Sequence, residues 1–125
     1  MKLIIGGYAQ GKLNFALQKE NMEEWVILDG KIQDEQSPKK VIVNHFHIWI
    51  KECLQRGGSP EEEVSAFLRQ NEDCIIISDE IGNGIVPIDA FEREYRERTG
   101  RILVELAGKA DEVVRVICGI GQKIK

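Results

Sequence analysis

The residues best placed to do chemistry are Gly6, Gly7, Tyr8, Ala9, Gln10, Gly11, Lys12 and Leu13, which follow the apolar run Leu3-Ile4-Ile5. Their spacing meets the phosphate-loop pattern G-x-x-x-x-G-K-[ST] at Gly6, Gly11 and Lys12 and departs from it at Leu13. The chemistry is anion binding: backbone N–H groups must converge on phosphate oxygens with no Cβ atoms in the way, and glycines at the turns allow it. A helix starting near Lys12 would add its free N–H groups and the positive end of its dipole. Lys12 is then the catalytic point charge on the β and γ oxygens of ATP or GTP. The hydroxyl that would help hold Mg²⁺ is missing, because Leu13 offers no oxygen. Asn14 lies roughly 100° further round the helix and is a poor substitute. The same residues would also serve as a plain strand-to-helix turn.

A second candidate follows the apolar run Cys74 to Ser78, where Asp79 and Glu80 stand at a strand end. Beside a phosphate loop, one carboxylate is suited to Mg²⁺ and another to the attacking group. Asp79 is the metal candidate, and Glu80 the catalytic residue expected to orient or deprotonate a substrate hydroxyl. His45 and His47 have a spacing that could bind metal, although histidines at such joints are more often structural.

These residues need elements to carry them. Lys2–Ile5, Trp25–Leu28, Val41–Val43, Cys74–Ser78 and Val113–Cys118 read as strands. Helical spacing falls on Leu13, Ala16 and Leu17, then on Phe46, Trp49, Ile50, Cys53 and Leu54, then on Val64, Phe67 and Leu68, and finally on Phe91, Tyr95, Ile102 and Leu106. Ser59-Pro60 with Glu62, and Asp89 with Glu92, read as capped helix starts. The tail Gly119–Lys125 reads as too short for a further element. Alternating strands and helices imply one α/β domain over residues 1–125, with a mainly parallel sheet of about five strands and helices on both faces. Ligands in such sheets bind at the carboxyl ends of the strands, where the phosphate loop, Asp29 and Asp79-Glu80 would meet.

Composition narrows the partners. A net charge of −4 over 125 residues gives no general attraction to nucleic acid or anionic membrane. Cys53, Cys74 and Cys118 sit in apolar runs without C-x-x-C spacing, which points to reduced core thiols and away from zinc. No run approaches a membrane span, and the first strand leaves no room for a signal peptide, so a cytoplasmic protein is expected.

The loop Ser78-Asp79-Glu80-Ile81-Gly82-Asn83-Gly84-Ile85-Val86-Pro87, with Thr99-Gly100-Arg101, Ala110-Asp111-Glu112-Val113 and the terminal Gly119-Ile120-Gly121-Gln122-Lys123-Ile124-Lys125, closely resembles the bifunctional adenosylcobinamide kinase and adenosylcobinamide-phosphate guanylyltransferase family of cobalamin biosynthesis. The resemblance covers the first strand, the phosphate loop and, nearly without gaps, about the last 50 residues, together more than half of the chain. It implies a RecA-like P-loop NTPase fold, a nucleotide at Gly6–Leu13, and a substrate loop at Gly82, Asn83, Gly84, Val86 and Pro87. It also implies phosphoryl transfer from ATP or GTP to the hydroxyl of a corrinoid, cobinamide, and a homo-oligomer. The family attaches GMP through a histidine carried on a long insert between strands two and three. Only Gly30–Lys40 fills that gap here, and neither His45 nor His47 aligns with that histidine, so the guanylyltransferase step is expected to be lost. The family's acidic residue on strand three is Asn44 here, its loop hydroxyl is Leu13, and a polar pair near Arg101 is Leu103-Val104. Two readings stand: a shortened cobinamide kinase-like enzyme, or a non-catalytic relative that binds nucleotide, corrinoid or partners in an assembly.

Overall fold

The computed structural model describes residues 1–33, 39–81 and 89–125. In chain order the elements are β1 (Lys2–Gly6), α1 (Lys12–Lys19), a 3-10 turn (Met22–Glu24), β2 (Trp25–Asp29), β3 (Lys40–Asn44), α2 (Phe46–Gln55), α3 (Pro60–Gln70), β4 (Ile75–Asp79), α4 (Ala90–Lys109), β5 (Glu112–Ile117) and β6 (Ile120–Lys123). They form a single sheet of order β2-β3-β4-β1-β5-β6, in which the first five strands are parallel and β6 is antiparallel to β5. The apolar runs are unbroken because both sheet faces are covered. Along β1 and β4 the side chains alternate, so Leu3 and Ile76 join one core while Ile4, Ile75 and Ile77 join the other. The first core is closed by α2, α3 and α4 through Phe46, Trp49, Ile50, Val64, Phe67, Tyr95, Ile102 and Leu106. The second is closed by α1 through Ala16, with Leu13, Phe15 and Leu17 partly buried against it.

Three local expectations are corrected. The tail is not too short for an element: Cys118 and Gly119, both at positive φ, make a two-residue reversal that lays β6 against β5. That reversal also leaves the Cys118 thiol exposed, whereas Cys53 and Cys74 are buried as core thiols. Ser59 precedes α3 without capping it through its side chain, while Asp89 does cap α4 by accepting the Glu92 N–H at 3.1 Å. The expected substrate loop, Gly82, Asn83, Gly84, Val86 and Pro87, lies outside the described residues.

Candidate nucleotide site

The chain leaves β1 at Gly6 and re-enters regular structure at Lys12, so Gly6–Gly11 form a loop at the carboxyl edge of the sheet. Two of its glycines have a physical reason. A Cβ on Gly6 would meet the Val116 carbonyl oxygen at 2.6 Å, because the loop packs against the backbone of β5. Gly11 takes φ 83° as the residue before α1, a left-handed backbone that glycine adopts without strain. Gln10, expected among the nucleotide-binding residues of the loop, is also its anchor: its Oε1 accepts the Cys118 N–H at 2.6 Å and its carbonyl accepts the Gly119 N–H at 2.8 Å. The loop is thereby tied to the β5–β6 turn. On its other side the Glu80 N–H donates to the Gly6 carbonyl at 2.8 Å, tying it to the end of β4.

Lys12 is only 8% exposed, and its ammonium sits 2.7 Å from the Gly7 carbonyl and 2.6 Å from Asp79 Oδ1. The register Gly6↔Asp79 between β1 and β4 is what brings them together. The other carboxylate oxygen, Asp79 Oδ2, faces His47 Nε2 at 3.4 Å, and the Asp79 N–H donates to His47 Nδ1 at 3.1 Å. An accepting Nδ1 puts the ring proton on Nε2, toward the carboxylate. Burial lowers the affinity of His47 for a second proton, against the opposing pull of Asp79, with His45 and Lys12 lowering it further. His47 is thus a neutral imidazole that fixes the orientation of Asp79.

A cleft of about 330 Å³ opens above these groups, lined by Tyr8–Asn14, Asn44, His45, His47, Ile77, Ser78 and Asp79. Tyr8 stands at its rim, 86% exposed. Glu80 is not brought into this cleft. Its carboxylate is held by the fork of Arg115, Nε to Oε1 at 2.8 Å and Nη2 to Oε2 at 3.1 Å, on the side facing β5. The structure also brings together three residues that the sequence analysis named separately, Asp29, Asn44 and His45. Asp29 and Asn44 are register partners at the ends of β2 and β3, and His45 follows directly. Asp29 Oδ1 lies 2.5 Å from His45 Nδ1 and accepts from Asn44 Nδ2 at 3.3 Å. The signal that could have exposed this grouping is an acid at the end of one strand and a histidine just past the end of the next, visible only once the strands are known to be neighbours.

Oxygen donors for a metal are sparse. Asp79 offers one carboxylate, the Leu13 side chain offers none, and among the described residues no cluster of three or more His, Cys, Asp or Glu side chains could hold an ion. No helix among them is long and apolar enough to cross a membrane.

Comparison with known proteins agrees with this architecture. The family model for cobinamide kinase / cobinamide phosphate guanyltransferase, CobU, matches residues 18–124, beginning just beyond the Gly6–Leu13 loop. The chain is 36% identical over 79 residues to the bifunctional adenosylcobalamin biosynthesis protein CobU of Salmonella typhimurium, covering 62% of this chain and 44% of that protein. It is 39% identical over 131 residues to the protein of the same name from Escherichia coli, covering 83% of this chain and 68% of that protein. The matched stretches thus span from under half to about two thirds of these relatives' lengths. The second alignment is longer than the 125 residues of this chain, so the relative carries residues in that span that this chain lacks. With a family match over most of its length and a six-stranded, mainly parallel α/β sheet, the chain belongs to the cobinamide kinase / cobinamide phosphate guanyltransferase family, with its P-loop NTPase fold.

Proposed function

We propose that the chain is a cytoplasmic kinase of cobalamin biosynthesis that transfers the γ-phosphoryl group of ATP or GTP to a hydroxyl of a corrinoid, cobinamide. The observation that carries this reading is Lys12, buried in the cleft and held between Gly7 and Asp79. The loop N–H groups and the helix start receive the β and γ phosphates, and Lys12 turns from Asp79 to their oxygens, stabilising the charge that spreads over them during transfer. Glu80, held by Arg115 at the end of β4, comes shortly before the proposed substrate-loop residues Gly82, Asn83, Gly84, Val86 and Pro87 in sequence. The donor set fits Mg²⁺ arriving with the nucleotide, which keeps phosphate and water ligands and needs only one carboxylate from the protein, here Asp79; it does not fit a resident ion. Mg²⁺ would supply charge neutralisation on the phosphates.

Guanylyl transfer is absent in this reading, supported by the short connection from β2 to β3 and by the residues that the Escherichia coli relative has in addition. Exposed Ile117, Ile120 and Ile124, on and beside the β6 edge, support association of copies into a homo-oligomer. The test is incubation of the purified chain with cobinamide, Mg²⁺ and labelled ATP or GTP. Label transfer to the corrinoid is expected. Nucleotide binding without transfer would reduce the protein to a non-catalytic relative.

A further inference from the structure

His45 is unusual in three respects at once. Its backbone is left-handed, φ 53° and ψ 47°, a conformation that costs a non-glycine residue free energy and is retained where surrounding structure demands it. The hydrogen bond of its ring, to Asp29, runs through Nδ1, and Nε2 has no hydrogen-bond partner among the described residues. And it stands between two clefts. One is the cleft that holds the phosphate loop and Lys12; the other, also of about 330 Å³, is lined by Asp29, Gly30, Lys31, His45, Ile48 and Glu52. Among the described residues, His45 is the one that lines both.

An ionised carboxylate can only accept, so Asp29 assigns the ring proton to Nδ1 and leaves a lone pair on Nε2. Asn44, donating to Asp29, holds the carboxylate in place. A carboxylate that orients an imidazole whose far nitrogen is free is the arrangement used to take a proton from a hydroxyl. We infer that His45 is the catalytic base of the phosphoryl transfer, with Asp29 as its positioning residue and the Asp29–Glu52 cleft as the approach of the acceptor. This inference rests on the kinase reading above. As the acceptor oxygen forms its bond to the γ-phosphorus, the bond from that phosphorus to the β,γ-bridging oxygen breaks. The hydroxyl proton passes to His45 Nε2, the nucleoside diphosphate leaves, and the imidazolium, stabilised by Asp29, returns its proton to water.

The test uses the full chain with Mg²⁺, ATP or GTP and cobinamide, on wild type, His45→Gly and Asp29→Asn. Glycine accepts the positive φ at this position without strain, so His45→Gly keeps the backbone while removing the base. Loss of turnover by about 10²-fold or more is expected for His45→Gly, with nucleotide affinity by calorimetry within about twofold of wild type and turnover recovered on adding imidazole. Asp29→Asn is expected to lose about tenfold or more, because the ring is no longer held in the productive tautomer. Turnover within about twofold of wild type in either variant, or a His45→Gly loss that imidazole does not recover, would overturn the role while leaving the kinase reading standing. A wild type that transfers nothing to cobinamide would overturn both.

Discussion

Two regions of this molecule are rich in ion pairs, and they behave as opposites. On the outer surface of α3 and α4, Arg98 grips Glu61 through two bonds of 3.0 and 2.6 Å and reaches Glu94 at 3.1 Å. The fork of Arg98 draws the Glu61 carboxyl below its ordinary value of 4.5, against the opposing cost of burial, but both side chains remain partly in water. At the carboxyl edge of the sheet, Lys12, Asp79 and His47 are instead almost withdrawn from solvent and share a single carboxylate. The surface pair tethers two helices, and solvent screens most of what it contributes. The edge cluster sits in a cleft, where a charge is costly unless partnered, and in the proposed function an arriving phosphate competes with Asp79 for Lys12. The lesson is that exposure and the number of alternative partners, more than the presence of an ion pair, separate a tether from a reactive site.

The sharpest way to break that contrast is Lys12→Ala, expected to lower phosphoryl transfer to cobinamide by about 10²-fold or more, since it removes the cation that meets the developing charge. Transfer at the wild-type rate would make the edge cluster as structural as the surface one. Next is Gly6→Ala, whose Cβ is driven against the Val116 carbonyl oxygen. A destabilisation of about 1–3 kcal/mol in a denaturant melt is expected, as for other overpacked positions. Leu13→Ser restores a hydroxyl beside the lysine and is expected to increase the gain in nucleotide affinity on adding Mg²⁺ by roughly tenfold, about 1.4 kcal/mol. An unchanged Mg²⁺ dependence would show that this position does not face the ion.

The smallest effect belongs to the surface. Glu61→Gln is expected to cost only ~0.5 kcal/mol at neutral pH and to leave nucleotide affinity alone. Because the folded-state value of Glu61 is depressed, its contribution is complete above 4.5 and is lost as the pH falls below that. The melting curves of wild type and Glu61→Gln should therefore converge on the acid side.

How far all this could be read from the residues differs between the same two regions. The covered strands were legible because unbroken runs such as Ile75-Ile76-Ile77 have few other uses in an α/β chain, and the strand-to-helix turn after β1 because its glycines mark it. The helix faces around Phe46, Trp49 and Ile50 followed from spacing alone. The β6 strand did not, because Cys118-Gly119 lacks the Asn-Gly or Asp-Gly signature of a tight hairpin turn. Ile32, buried at 4% exposure in a segment read as polar loop, was equally silent. The union of Asp29, Asn44 and His45 depends on β2 and β3 lying in register across ten intervening residues, a tertiary fact. Asp79 and Glu80 show the remaining limit: as neighbours in sequence both were placed at one site, but they end on opposite sides, one against Lys12 and the other against Arg115.

The most direct measurement is titration calorimetry of ATP and of GTP, with and without Mg²⁺, on the wild type and on Lys12→Ala. Binding to the wild type that is strengthened by Mg²⁺ and lost in Lys12→Ala is the expected result, since the cluster of Lys12 and Asp79 is then the phosphate site. Absence of binding to either nucleotide, or binding indifferent to Lys12, would contradict it and leave the Gly6–Leu13 loop as a strand-to-helix turn.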